Sequence, residues 1–148
     1  MSKRKTILLA DEDPRYALLL ELALEQAGIT AAVRSVNSRE QTFAYLNGDG
    51  LYADRAAYPM PDIVLLGLRL PLLHDFDVLR WIRSRHELDC IKVGILSGSE
   101  FPNEEQVARD LGADCYRVKP GNFEELVEAA ERMRVRWLES EEPHETPA

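Results

Sequence analysis

The residues whose side chains could do chemistry are concentrated in short polar segments that directly follow apolar runs. Three acids, Asp11, Glu12 and Asp13, follow the first run, while the hydroxyl of Ser97 and the ammonium of Lys119 follow two later runs. Carboxylates in such positions most often cap helices or lie in solvated loops. Three in succession would repel phosphate, which disfavours a phosphate-binding loop for a flavin-type cofactor here. Any joint chemistry therefore requires a fold that brings these segments together.

Five short apolar runs alternate with longer stretches of helical period. The first and third runs, 7–10 and 63–66, are continuously apolar, as is typical of strands buried on both faces. Three further strands are predicted at 31–36, 91–96 and 115–118. Strands that alternate with helices predict an α/β fold, a doubly wound five-stranded parallel sheet of (βα)5 type. In such folds functional groups gather beyond the carboxyl ends of the strands, where the polar segments lie.

The helix boundaries carry local signals. Asp13, Ser38 and Asn122 are suitable N-caps, and Gly28 and Gly112 are suitable helix stops. The connection 47–61 is longer than usual and rich in Gly, Asp and Pro, and we expect it to hold a turn of helix. We expect one domain over 1–138, followed by an acidic, disordered tail over 139–148.

Composition excludes several classes of protein. The 148 residues are 45% apolar and 30% charged, which is typical of a globular chain, and no apolar run is long enough to span a bilayer. The net charge of −8 opposes binding to nucleic acid. The two cysteines, Cys90 and Cys115, lack the clustered partners of a metal site, and we expect both to be buried. The default location is the cytoplasm.

Taken together, the segments ILLADEDP, LSGSE and YRVKP resemble the response-regulator receiver family, the CheY-like proteins, over about residues 5–138. The long connection ending in YPMPDIVLL is similar to a subgroup of stand-alone receivers that includes phytochrome-partnered regulators. The resemblance implies a CheY-like fold. It also implies a signalling protein of two-component systems that is not itself an enzyme.

The resemblance further assigns roles to residues at the carboxyl ends of the strands. In the family, Mg²⁺ is held by acids of the first loop, by the phosphoacceptor aspartate and by a backbone carbonyl two residues after it. Matched by position, these metal ligands are Asp11, Glu12 and the carbonyl of Arg69. The residues that contact the phosphoryl group are Ser97 and Lys119. The aromatic residue that changes rotamer when the family switches is Tyr116.

One position departs decisively from the family pattern. Gly67 stands where the phosphoacceptor aspartate is expected, with its neighbours in register, and glycine offers no oxygen to a phosphoryl group or a metal. We therefore predict weak Mg²⁺ binding at most, and an ion pair between Lys119 and either Asp11 or Glu12.

The departure predicts a degenerate receiver, or pseudo-receiver, that acts through protein contacts without phosphorylation. Two alternatives stay open: another carboxylate, such as Asp62 or Asp75, accepts the phosphoryl group, or Gly67 is an altered position in a working receiver. The expected partner is a sensor histidine kinase, a phytochrome-like sensor or another response regulator, and a homodimer is also left open. In the family, the face formed by the fourth helix, fifth strand and fifth helix commonly makes such contacts.

Overall fold

The computed structural model describes residues 5–68, 76–98 and 103–139. Strands and helices alternate along these residues, as the apolar pattern predicts. In chain order, the elements are β1 (Thr6–Ala10), α1 (Pro14–Gln26), β2 (Ala32–Val36), α2 (Arg39–Asn47), a 3₁₀ turn (Gly50–Ala53), β3 (Ile63–Leu68), α3 (Asp77–Ser84), a second 3₁₀ turn (His86–Leu88), β4 (Lys92–Ser97), α4 (Glu104–Asp110), β5 (Cys115–Val118), α5 (Phe123–Met133) and a π-helical extension (Arg134–Glu139).

The five strands form one parallel sheet in the order β2-β1-β3-β4-β5. The chain moves outward from β1 to β2 and then returns to β3 on the other side of β1. This reversal is the switch in strand order that opens a cleft beyond the carboxyl ends of neighbouring strands. In register, Ala10 lies opposite Leu66, and Gly67 and Leu68 lie opposite Leu96 and Ser97. The polar segments after these strands therefore share one edge of the sheet.

Helices cover both faces of the sheet, which confirms the predicted doubly wound fold. Alternate residues of β1 point to opposite faces, so Ile7 and Leu9 join one core and Leu8 joins the other. The Ile7 core is closed by α1 and α5 through residues such as Leu24 and Leu126. The Leu8 core is closed by α2, α3 and α4. Both cores exclude water from the central strands, which explains their continuous apolar runs.

Local capping signals are confirmed where they were predicted. The side chains of Asp13, Ser38 and Asn122 accept hydrogen bonds from backbone amides in the first turns of α1, α2 and α5. Gly28 follows α1 and Gly112 follows α4, both with positive φ, at 84° and 106°. A side chain would be strained there, so the two glycines let the chain leave the helices.

The connection between α2 and β3 is ordered by aromatic packing. It contains the expected turn of helix, Gly50–Ala53. The rings of Tyr45, Tyr52 and Tyr58 lie 5.0–6.0 Å apart, and Arg55 donates hydrogen bonds to the carbonyls of Leu46 and Tyr58. The connection therefore packs as a small ordered unit against the end of α2.

The expected burial of Cys90 was wrong, and the predicted tail lies almost entirely outside the described residues. Cys90 is exposed rather than buried, because it lies in the turn before β4, and Cys115 is half-buried. The predicted tail lies beyond the described residues except for Glu139, which ends the helical extension. Among the described residues, none of the helices has the length and apolar character needed to cross a membrane.

Candidate functional site

Four strand ends bring the predicted site residues to one edge of the sheet. Asp11 follows β1, Gly67 lies near the end of β3, Ser97 ends β4 and Lys119 follows β5. The carbonyl of Arg69 and the carboxylate of Asp75, also considered from the sequence, lie outside the described residues. The four described positions divide into two groups, one around Asp11 and one around Ser97.

Asp11 forms a buried ion pair with Lys119. Its Oδ2 atom lies 3.1 Å from the Lys119 Nζ atom, and the two side chains are only 4% and 15% exposed. Its Oδ1 atom accepts a hydrogen bond of 2.8 Å from the backbone amide of Asp13. The predicted pairing is thus confirmed with Asp11, whereas Glu12 is exposed. Both carboxylate oxygens of Asp11 are committed to contacts within the protein.

The Asp11 carboxylate occupies the space that a side chain at position 67 would need. A Cβ atom placed on Gly67 would lie 2.1 Å from Asp11 Oδ2 and 2.6 Å from Asp11 Cγ. Both separations are under 3.0 Å, which is closer than a Cβ atom comes to non-bonded heavy atoms. The observed position of Asp11, and with it the ion pair to Lys119, therefore depends on the absence of a side chain at Gly67.

Tyr16 completes the surroundings of Lys119. The Lys119 Nζ atom lies 4.5 Å from the centre of the Tyr16 ring, in the geometry of a cation–π contact. Burial, and then the nearby negative charge of Asp11, raise the pKa of Tyr16 to about 12. The ammonium group is therefore held between a carboxylate and an aromatic face contributed by two different elements.

The second group is built around Glu104, in the first turn of α4. The Ser97 hydroxyl donates a 2.6 Å hydrogen bond to Glu104 Oε1, and the Tyr116 hydroxyl donates a hydrogen bond to the same oxygen. Ser97 and Glu104 are only 1% and 5% exposed. The pKa of Tyr116 is raised by burial and by its bond to Glu104, against a smaller opposing effect of Ser97. We call this Ser97–Glu104–Tyr116 arrangement the Glu104 bridge.

Reasoning from the sequence missed the role of Glu104. Acids in the first turn of a helix are common because they interact favourably with the helix dipole, and they are usually exposed. Glu104 and Glu105 are adjacent acids of this kind, and only the packing of α4 against the sheet distinguishes them. Glu105 is exposed and forms an ion pair with Arg109, whereas Glu104 is buried.

A cleft of about 240 Å³ lies beside the first group, lined by residues that include Asp11, Glu12, Arg39 and Gly67. A divalent cation such as Mg²⁺ requires several oxygen ligands directed at one point. In the part of the chain that the structure describes, no group of three or more potential ligands gathers in this way. Gly67 supplies no side-chain oxygen, and Asp11 is already paired with Lys119. The described residues therefore do not fit a metal site of the usual receiver type.

Comparison with known proteins gives the family directly. The sequence pattern of the response regulator receiver domain matches residues 7–131. The chain belongs to this family. Receiver domains are signalling modules of two-component systems, and they interact with histidine kinases or other proteins. The five-stranded sheet and the order of its strands agree with this assignment.

Solved structures of several response regulators are similar to this receiver domain. RPA3017, a response regulator in red light signaling of R. palustris, is 34% identical with a TM-score of 0.84, covering 92% of this chain and 95% of that one. The phosphorylated cyanobacterial phytochrome response regulator RcpA is 29% identical with a TM-score of 0.81, covering 93% and 96%. Rcp1 of Synechocystis, solved in an Mn²⁺-bound form, is 26% identical with a TM-score of 0.78, covering 92% and 96%. Some other curated relatives are longer, and the chain spans 46% and 54% of two of them.

Proposed function

We propose that this receiver domain accepts no phosphoryl group and signals through protein contacts made in one conformation. The observation that carries the proposal is the position of the Asp11 carboxylate, which fills the side-chain space at Gly67 and pairs with Lys119. In the family pattern, position 67 holds the aspartate that is phosphorylated and Lys119 contacts the phosphoryl group. Here the nucleophile is absent, and the lysine is paired with a carboxylate of the protein itself.

The other phosphoryl contact is also engaged. Ser97, the hydroxyl that the family directs at the phosphoryl group, donates its hydrogen bond to Glu104. Tyr116, the proposed switch residue, donates to the same carboxylate. Lys119 and Ser97, the two residues that would contact an incoming phosphoryl group, are therefore already paired with carboxylates of the chain itself. This supports a domain whose conformation is set without phosphorylation.

The position of Asp62, the alternative acceptor that lies among the described residues, does not support phosphorylation there. Asp62 precedes β3 and accepts a 2.9 Å hydrogen bond from the amide of Thr6, at the start of β1. It lies at the amino ends of the strands, on the opposite edge of the sheet from Lys119. Its role is to fix β1 beside β3.

We further propose that metal binding at Asp11, Glu12 and the carbonyl of Arg69 is weak or lost. Loss of the aspartate at position 67 removes one ligand, and the Lys119 ammonium competes with a cation for Asp11. A midpoint for Mg²⁺ far above millimolar concentration in a thermal-shift titration would agree with this proposal. Stabilisation saturating below about 1 mM would contradict it, since stabilisation by a ligand follows its occupancy.

The proposed partner is a protein of the same signalling class: a sensor histidine kinase, a phytochrome-like sensor or another response regulator. The similarity to the phytochrome response regulator RcpA and to RPA3017, a regulator in red light signaling, supports this choice. The contact face is proposed to lie on α4, β5 and α5, where Val107, Val118 and Phe123 are exposed. A homodimer through this face is the second candidate. The proposed location of the domain is the cytoplasm. Its net charge of −8 disfavours nucleic acid as a partner.

Intact-mass analysis after incubation with acetyl phosphate and Mg²⁺ tests the proposal. We expect no added phosphoryl mass on this chain. Gly67→Asp is the matched variant, and we expect it to be labelled once Asp11 has moved away from the new side chain. Labelling of the unaltered chain, mapped by peptide analysis to any carboxylate, would overturn the proposal. Absence of labelling in both proteins, with folding intact, would show that more than the acceptor has been lost.

A further inference from the structure

The Glu104 bridge connects three elements that meet at one end of the sheet. Ser97 is the last residue of β4, Tyr116 lies in β5, and Glu104 begins α4. Both hydroxyl groups donate to the same oxygen, Oε1 of Glu104. Hydrogen bonds to a buried charged group are stronger than those between neutral groups, and a residue that joins three elements restricts all of them.

The bridge lies at one end of α4, and separate contacts hold the rest of the helix. Ala108, in the middle of α4, is completely buried against the sheet. Beyond its carboxyl end, Asp114 accepts hydrogen bonds of 2.8 Å from the Arg83 side chain and from the amide of Val93. Arg83 also donates to the carbonyl of Gly112. The helix is therefore tied down at both ends and in the middle.

From this geometry we infer that Glu104 is a built-in anionic ligand that fixes α4 on the sheet and holds Tyr116 in a single rotamer. The carboxylate gives Ser97 and Tyr116 an acceptor that belongs to the chain itself. The surface formed by α4 and β5 therefore has one geometry, set by a residue of the chain itself. This inference goes beyond the proposed function and stands without it, because the bridge does not involve the Gly67 position.

The contacts of Glu105 make it a matched control. It is adjacent in sequence, lies in the same helical turn and carries the same charge, but its carboxylate pairs with Arg109 at the surface. Exposed pairs of this kind contribute little to stability. Glu105→Gln therefore removes one negative charge from the same turn of α4 and leaves the bridge intact.

The test compares Glu104→Gln and Glu104→Ala with Glu105→Gln in the full chain. Amide hydrogen exchange of α4, measured by NMR under native conditions, should become roughly ten- to a hundredfold faster in Glu104→Ala and stay near the unaltered rate in Glu105→Gln. In Glu104→Gln the pKa of the Tyr116 phenol, followed with ring-labelled tyrosine, should fall, because the carboxylate that holds its proton is gone. Exchange rates and a Tyr116 pKa that match those of Glu105→Gln would overturn the inference.

A second variant keeps the test decisive if Glu104→Ala does not fold. Tyr116→Phe removes only the hydroxyl that donates to Glu104 and leaves the ring in place. We expect faster amide hydrogen exchange of α4 in Tyr116→Phe. In the unaltered protein, we expect one set of Tyr116 ring signals without line broadening from rotamer exchange. Unchanged α4 exchange in Tyr116→Phe, or two Tyr116 ring populations in the unaltered chain, would refute the single-rotamer bridge. Neither measurement involves phosphoryl transfer, so the two proposals can fail separately.

Discussion

Gly67→Ala tests the coupling between Gly67 and Asp11 with one methyl group. The added Cβ would lie 2.1 Å from Asp11 Oδ2, so the carboxylate must move. Its present position allows the 3.1 Å contact with Lys119, and we expect that contact to break. The backbone of Gly67 does not have a positive φ, so alanine itself causes no strain there.

The expected change in the free energy of unfolding follows from two opposing effects. Separating a buried ion pair, in which each side chain is at most 15% exposed, costs about 3 kcal/mol. Replacing glycine by alanine in a strand stabilises by about 0.5–1 kcal/mol. The net result is a loss of about 2 kcal/mol, which corresponds to a fall in Tm of about 4–8 °C.

Urea unfolding of a double-mutant cycle measures the coupling directly. In the Asp11→Ala background the collision is absent, so Gly67→Ala should be neutral or stabilising by up to about 1 kcal/mol. The coupling energy between the two positions should therefore be about 3 kcal/mol, the cost of the lost pair. Gly121→Ala is the control, because a Cβ at Gly121 would meet no heavy atom within 4 Å.

The reasoning would be refuted by additive effects at the two positions. If Gly67→Ala changes stability by the same amount with and without Asp11, to within about 0.5 kcal/mol, then Asp11 does not occupy the side-chain space at position 67. A Gly67→Ala variant as stable as Gly121→Ala would lead to the same conclusion.

Three further predictions concern Tyr16 and Lys119 at the site and Arg83 at the opposite edge of the sheet. Tyr16 should titrate near pH 12, measured by tyrosinate absorbance and assigned by its loss in Tyr16→Phe. Asp11→Asn should lower the pKa of Tyr16 only in part, because burial is the larger cause of the increase. Since the folded-state pKa exceeds the ordinary value of 10, Tyr16 should decrease stability as pH rises from 10 to 12, a dependence that Tyr16→Phe removes. In urea unfolding, Lys119→Met should lower the free energy of unfolding by about 3 kcal/mol, because it leaves the buried Asp11 carboxylate unpaired. The Asp11→Asn/Lys119→Met double variant removes both charges and should lose much less. Equal losses in the two variants would mean that the charge pairing is unimportant. Arg83→Ala removes the hydrogen bonds to Gly112 and Asp114 and should lower the free energy of unfolding by about 2 kcal/mol. Arg80→Ala removes an exposed ion pair and should lower it by less than about 0.5 kcal/mol. Equal losses in urea unfolding would contradict a stabilising role of the Arg83 contacts.

The architecture could be predicted because its signals are local. Continuous apolar runs identify buried strands such as Ile63–Leu68, and cap residues such as Ser38 and Asn122 mark where helices begin. Both signals arise from neighbours in the chain, so they are present in the sequence before any tertiary contact forms. The edge of the sheet where functional residues gather follows from the alternation of strands and helices alone.

Predictions that depended on individual environments were less successful. The sequence predicts that Lys119 pairs with an acid of the first loop but does not distinguish Asp11 from Glu12. Cys90 was expected to be buried and is exposed, because a turn before β4 places it at the surface. No signal in the sequence distinguishes the buried Glu104 from the exposed Glu105.

By itself, the sequence determined the strand and helix pattern, the sheet edge that carries the site and the absence of a side chain at Gly67. Only the tertiary structure decided which group occupies the space left at Gly67: the Asp11 carboxylate lies there and forms an ion pair with Lys119. Only the tertiary structure, likewise, buried Glu104 between Ser97 and Tyr116 while leaving Glu105 in solvent. The physical reason is that burial and charge pairing are set by residues far apart in the chain, whereas apolar period and capping are set within a few residues.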